Sequence, residues 1–250
     1  MRDPLPDYTP SGSLHGCRAL VLGGLAQDGS GSAVAAALAK EGAAVALADN
    51  TGLPGRAAGA RPVPRRRLAD DPVVLAAGLV SALGSWSLPI HCDPASESDG
   101  RAAVAYTALE FGPLDLLVVH AAAGAARGAQ RSGGLGAAVA STAPAPRPLR
   151  GPPELGSALR AVRAARPFLS EGAAAVVLGE RSAPGAGRPR ENAALRSLAG
   201  SLRERGVRLN CLVPRPADTD AAVAAAVADL AADDGRTGEV VGVAQVPHPR

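Results

Sequence analysis

The chain has 250 residues, a formal net charge of +3, 47% hydrophobic residues and 2% aromatic ones. That length admits one large α/β domain or two small ones, and so small a charge does not call for a polyanionic partner. Three widely spaced cysteines without C-x-x-C or Cys/His ligand spacing exclude a disulfide framework and a structural zinc, and they point to a reduced, cytoplasmic setting. In chain order, residues 1–14 are polar and proline-containing and read as a loose lead-in to a domain over 15–245, with a tail at 246–250. The opening stretch MRDPLPDYTPSGS has no apolar core for a signal peptide. No apolar run approaches the about 18 residues of a membrane span, so a soluble, unsecreted chain is expected.

Ala19 to Leu22 is apolar without polar alternation, as a parallel strand buried on both faces requires. Gly23, Gly24, Gly29 and Gly31 break the chain. Ser32 to Glu41 is rich in helix formers, Gly42 stands where a helix ends, and Ala44 to Ala48 is a second strand closed by Asp49. Asn50 to Pro64 reads as an irregular connection. Asp70 and Asp71, with Pro72 in the first turn, start a second helix. Trp86 to Cys92 is a third strand ending at Asp93. A helix capped by Ser96 or Ser98 runs to about Phe111, where Gly112 and Pro113 stop it. Leu114 to Val119 is a fourth strand. From 124 to 153 the sequence is low in complexity and reads as a long loop. Glu154 to Phe168 and Glu191 to Arg205 are expected as helices, with a strand from Ala173 to Leu178 between them. A strand from Val207 to Val213, a helix from Ala221 to Leu230 and a strand from Glu239 to Val243 complete one doubly wound, parallel Rossmann-type α/β sheet of about seven strands, with helices on both faces.

The stretch from Arg18 to Asp49 carries the chemistry. Glycines let backbone amides approach a pyrophosphate, a helix N-terminus favours its charge, and an acid about twenty residues on can bind ribose hydroxyls. Gly23, Gly29, Ser30, Gly31 and Asp49 are the candidate residues. The arginines at 61, 65, 66 and 67 read as a solvated loop rather than a nucleic-acid site, because no aromatic residues interleave them.

These residues resemble the short-chain dehydrogenase/reductase family over roughly 14 to 244. LHGCRALVLGG is similar to its opening strand, Asp93 and the later FGPLD to its third and fourth strands, GVRLNCLVPRPADTD to its sixth-strand motif and TGEVVGV to its last strand. The turn departs from the family's T-G-x-x-x-G-x-G, with five residues between Gly23 and Gly29, and Gly24, Leu25, Ala26 and Ser30 resemble the enoyl reductase branch. The resemblance implies a nicotinamide cofactor, NAD or NADP, held by the turn, Asp49, Asp93, Ala121 and Thr219. It also implies a homo- or hetero-oligomer with a chain of the same type. Asp49 favours NAD, since a carboxylate repels a 2′-phosphate.

The family's catalytic Ser, Tyr, Lys and helix Asn are not matched. Glu180, Arg188, Asn192 and Glu154 occupy those positions, and Val119, His120, Ala121 and Ala122 replace its Asn-Asn-Ala-Gly, leaving His120 as a residue at a strand end. Lys40 is the only lysine and Tyr8 and Tyr106 the only tyrosines. Thr219 and Asp220 also run straight into the next helix, without the family's substrate lid. Two readings follow. One is a catalytically degenerate member acting as partner subunit, scaffold or nucleotide-binding protein. The other is an active NAD(P)-dependent oxidoreductase that takes its proton from water, His120 or Glu180.

Overall fold

A computed structural model of the chain describes residues 3–25, 30–50, 71–94, 96–121, 154–181 and 189–246. Strands β1 (Arg18–Leu22), β2 (Ala44–Asp49), β3 (Ser87–His91), β4 (Leu114–His120), β5 (Leu169–Leu178), β6 (Arg208–Leu212) and β7 (Val240–Val241) alternate, among the described residues, with six α-helices. These are α1 (Ser30–Lys40), α2 (Pro72–Ala82), α3 (Glu97–Phe111), α4 (Glu154–Ala165), α5 (Pro189–Leu202) and α6 (Asp220–Ala232). Every strand pairing is parallel, in the order β3-β2-β1-β4-β5-β6-β7.

The strands lack polar alternation because helices cover both faces of the sheet. Ala19 and Val21 of β1, Leu116 and Val118 of β4, and Val176 of β5 pack in one layer with α1, α2 and α6. Leu20 and Leu22, Leu117 and Val119, and Val177 pack in the other with α3, α4 and α5. The doubly wound sheet expected from the sequence is therefore present, and two of its helix starts fall on the residues read as caps. Asp71 accepts from the amides of Val73 and Val74, and Ser96 from that of Asp99.

Element ends differ from expectation for local reasons. Trp86 and Cys92 lie outside β3, and the Trp86 ring is 74% exposed beside Phe111. Helix α4 stops at Ala165 and tightens into a 3₁₀ turn over Arg166–Phe168, because Pro167 has no N–H for a further helical bond. Strand β5 starts at Leu169, earlier than Ala173. Leu114 pairs with Leu169 but Leu116 with Ala174, so β5 carries extra residues there, with Gly172 at φ 75°. Strand β7 is only two residues long, against an expected Glu239 to Val243, and passes into a 3₁₀ turn at Val243–Gln245. Val246, assigned to the tail, is buried. The stretch 124–153, the arginines at 61 and 65–67, and the rest of the tail lie outside the described residues.

The lead-in is the clearest correction, since residues 3–14 are pinned rather than loose. Leu5 and Leu14 are buried, Lys40 donates to the Leu5 carbonyl, and its ammonium pairs with Asp3 at 2.7 Å. Buried Glu41 accepts from the Tyr8 hydroxyl at 2.7 Å and from the Ser11 and Ser13 amides at 3.0 and 2.9 Å. Burial works to raise the Glu41 pKa, but these donors from Tyr8, Ser11 and Ser13 hold it below the usual carboxylate range. A second tie crosses β1, β4 and β5. Asp115 receives Arg18 Nε at 2.7 Å, Arg18 Nη2 at 2.9 Å and the Ser170 hydroxyl at 2.7 Å. Burial again opposes ionisation, and the Arg18 guanidinium outweighs it, so this carboxyl is also held low.

Both carboxylates have folded pKa values below the unfolded ones of about 3.9 to 4.3. Their stabilisation is therefore fully present above that range and is lost as pH falls through the folded values. Glu41→Gln and Asp115→Asn should each cost about 2 kcal/mol at pH 7, lowering Tm by about 4–8 °C. Thermal melts taken from pH 7 down to 3 should show the double variant losing less stability on acidification than the parent; parallel curves would refute both assignments.

Candidate functional site

Strands β1 and β4 are neighbours, but the chain after β1 builds outward toward β3 and the chain after β4 builds toward β7. At such a switch point a crevice opens beyond the carboxyl ends of the strands. Gly23 and Gly24 turn the chain there with φ of 85° and 77°, a region side chains avoid. The Gly23 amide donates to the Ala48 carbonyl at 2.7 Å. A Cβ on Gly31 would lie 2.7 Å from the carbonyl carbon and oxygen of Gly24, so helix α1 begins directly against the turn. Asp49, 5% exposed, faces the same turn. Its Oδ2 accepts from the Leu25 amide at 2.8 Å and its Oδ1 from the Asn50 amide at 2.7 Å. The acid expected on a ribose thus ties the turn to the end of β2.

His120 ends β4 and is buried to 5%. Its Nε2 lies 2.9 Å from the hydroxyl of Ser30, the equally buried first residue of α1. The imidazole lies over Gly24, where a Cβ would stand 2.4 Å from Cδ2 and 2.8 Å from Cγ. Sequence reasoning placed His120 at a strand end and Gly24 and Ser30 in a phosphate turn, but gave no signal that the three touch. Beside the ring, a small cavity of about 10 Å³ is lined by Ser30, His120, Leu178, Gly179, Arg181, Pro214 and Val223.

The comparisons with known proteins fit this geometry. No protein-family model and no curated protein matches the sequence. Solved structures do match. A short-chain dehydrogenase from Burkholderia cenocepacia in complex with NADP is 25% identical, with a TM-score of 0.64 over 92% of this chain and 97% of that one. A blue fluorescent protein from a metagenomic library, in complex with NADPH, is 22% identical with a TM-score of 0.65 over the same shares. The enoyl-[acyl-carrier-protein] reductase (NADH) from Aquifex aeolicus is 19% identical, with a TM-score of 0.62 over 92% and 96%. The chain has the fold of the short-chain dehydrogenase/reductase family.

Within that fold the remaining site residues can be placed. Ala121, the residue after His120, is buried. Asp93 follows β3, its amide donating to Asp99 at 3.2 Å. Thr219 is exposed, and its hydroxyl accepts from the Ala222 amide at 3.2 Å, capping α6. Glu180 is exposed just beyond β5, Asn192 is half-buried in the first turn of α5, and Glu154 begins α4. Gly29 and Arg188 lie outside the described residues. Arg181 missed notice in the sequence. It reaches from the end of β5 to the Asp218 carbonyl and pairs with Asp220, bracing the loop before α6. Lys40 and Tyr8 are held at the opposite edge of the sheet, since α1 runs back from the crevice, and Tyr106 is exposed on α3.

Among the described residues no His, Cys, Asp and Glu cluster could hold a metal, and no helix is long and apolar enough to cross a membrane. Buried Cys211 has its thiol pushed up to about 12 by burial and by Glu191, so it serves as a core residue and not as a nucleophile.

A nicotinamide dinucleotide would need its pyrophosphate against the glycine turn. The backbone frame of Gly23, Gly24, Gly31 and α1 has the required form, but the space over Gly24 and the Ser30 hydroxyl are both engaged by the imidazole. At about 10 Å³ the cavity beside the ring is also far below the about 300–1,000 Å³ of small-molecule sites. As these side chains stand, they do not fit the pyrophosphate. Another groove, of about 320 Å³ and lined by Gly172, Arg203, Gly206, Arg208 and Thr237 among others, lies at the amino ends of β5 and β6, away from where this fold binds nucleotides.

Gly31→Ala should cost about 1–3 kcal/mol, because the added methyl meets backbone that cannot turn aside. Gly24→Ala should also destabilise, and part of that loss should disappear when His120→Ala is combined with it, whereas the Gly31→Ala loss should not. Denaturant melts of the two double-mutant cycles test this, and equal coupling in both would contradict the imidazole contact.

Proposed function

We propose that this chain is a non-catalytic member of the short-chain dehydrogenase/reductase family that works through its fold, as a subunit paired with a second chain of the same type. The placement of Lys40 and Tyr8 carries the reading. The one lysine and one of the two tyrosines are tied to Asp3, Leu5 and Glu41 at the far edge of the sheet. No tyrosine–lysine pair is therefore available at the crevice to protonate a developing alkoxide, and loss of a positioned proton donor costs roughly 10²- to 10⁴-fold in rate. His120 Nε2 is engaged by Ser30. The segment from Val213 to Thr219 leads directly into α6, leaving no length for a lid to exclude water.

For association, α5 turns Ala193, Ala194, Ser197, Gly200 and Ser201 outward beside Arg196, so small residues make up most of the face over which another helix can lie. Exposed Trp86, Tyr106 and Leu109 add apolar surface of the kind that marks contact sites. A nicotinamide dinucleotide is the ligand class the fold suggests for the crevice, supported by the NADP and NADPH bound to the proteins of like fold, with Asp49 favouring NAD over NADP, although His120 as it stands blocks the place of the pyrophosphate. A second reading rests on Glu180, exposed at the carboxyl end of β5: a working NAD(P)-dependent reductase protonating its product from that carboxyl.

Purified chain supplied with NADH or NADPH should reduce neither ketones nor enoyl thioesters. Turnover that disappears in Glu180→Gln would favour the second reading and defeat the first. Light scattering should show the chain associating with itself or with a co-purifying reductase, and Gly200→Arg should abolish the complex. A monomer that co-purifies with no related chain would remove the subunit role.

A further inference from the structure

We infer that His120 is what keeps the glycine turn from accepting a phosphate, so that the described part of a dinucleotide cradle is closed by one of the chain's own side chains. The inference rests on reading the crevice as a dinucleotide-type site and adds the residue that sets its affinity. Glycine at such a turn leaves room for a pyrophosphate to approach the backbone. Here the room left at Gly24 is filled, with imidazole Cδ2 2.4 Å from the position a Cβ would take. The hydroxyl at the first position of α1, where an anion meets the positive end of a helix, is bonded to the same ring at 2.9 Å. One imidazole thus takes both the space and the polar partner that a phosphate would use. Nothing else described in the turn needs rebuilding: Gly23 and Gly24 keep positive φ, Gly31 keeps α1 against them, and Asp49 fixes Leu25.

The His120 ring borders a small opening lined, among the described residues, by Leu178, Gly179 and Val223, apolar or side-chain-free groups that bring no charge to it. Arg181, the charged residue on that wall, is already committed to Asp220 and the Asp218 carbonyl. Apparent affinity for a dinucleotide is then the intrinsic affinity scaled by the fraction of molecules with the ring displaced, and truncating the ring removes that scaling.

The test is titration of the parent chain, His120→Ala and His120→Asn with NADH and NADPH, read by nicotinamide fluorescence, with circular dichroism melts confirming that each protein is folded. Both variants should bind at least one of the two nucleotides about tenfold or more tightly than the parent. His120→Asn keeps a polar group at the strand end should the alanine variant not fold. Equal affinity in parent and variants, or no binding by any of them, would overturn the inference. Reductive turnover by the parent chain would instead overturn the non-catalytic reading above, so the two fail separately.

Discussion

The approach of α1 to the first strand, close enough that a Cβ on Gly31 would meet the Gly24 carbonyl at 2.7 Å, governs the rest of the molecule. It lets an eleven-residue helix with five alanines lie flat against the sheet with Ala33 through Ala39 buried. It also fixes where Ser30 opens the helix, and hence where the end of β4 meets it. A side chain at Gly31 would lift α1 by more than a rotamer change can absorb, because its neighbours there are backbone.

A core of this kind has a consequence for stability. Helices α1 and α6 face each other through alanines and valines, and each alanine buries less apolar area than a leucine or an aromatic, hence contributes less transfer free energy. Only 2% of the chain is aromatic. Two partly enclosed carboxylates supply specific ties in addition. Glu41 anchors the amino-terminal strap to the end of α1, and Asp115 binds β1 and β5 to β4 through Arg18 and Ser170. Both sit at the amino-terminal edge of the sheet, opposite the crevice, so that edge is cross-linked by charge while the other is shaped by glycine.

Local chemistry was readable from the chain, and distant contacts were not. Asp71 and Ser96 cap helices with their own neighbours, and the unalternating strands report burial on both faces directly. Strand β7 is short because only Val240 and Val241 stand in register with β6, opposite Cys211 and Leu212, although the Gly238 amide and the Glu239 carbonyl also bond to Leu209 and Cys211. The strap was misread because its anchor, Glu41, lies 28 to 33 residues from Tyr8, Ser11 and Ser13. The pairing of Ser30 with His120 spans 90 residues. Thr219 shows a further limit: a threonine before an acidic helix start suits a cap as well as a cofactor contact, and its bond to the Ala222 amide belongs to the first use.

The crevice illustrates why a glycine turn identifies a fold more securely than a ligand. Positive φ at Gly23 and Gly24 and the absent Cβ at Gly31 are needed for a strand to feed a helix this tightly, whatever then occupies the space above. A phosphate is one occupant and an imidazole from the adjacent strand is another. Which one prevails depends on the residue ending β4, two strands' worth of sequence away from the glycines. In this chain the strand end that places His120 over Gly24 is followed by a buried Ala121, so the occupant above the turn is supplied by β4.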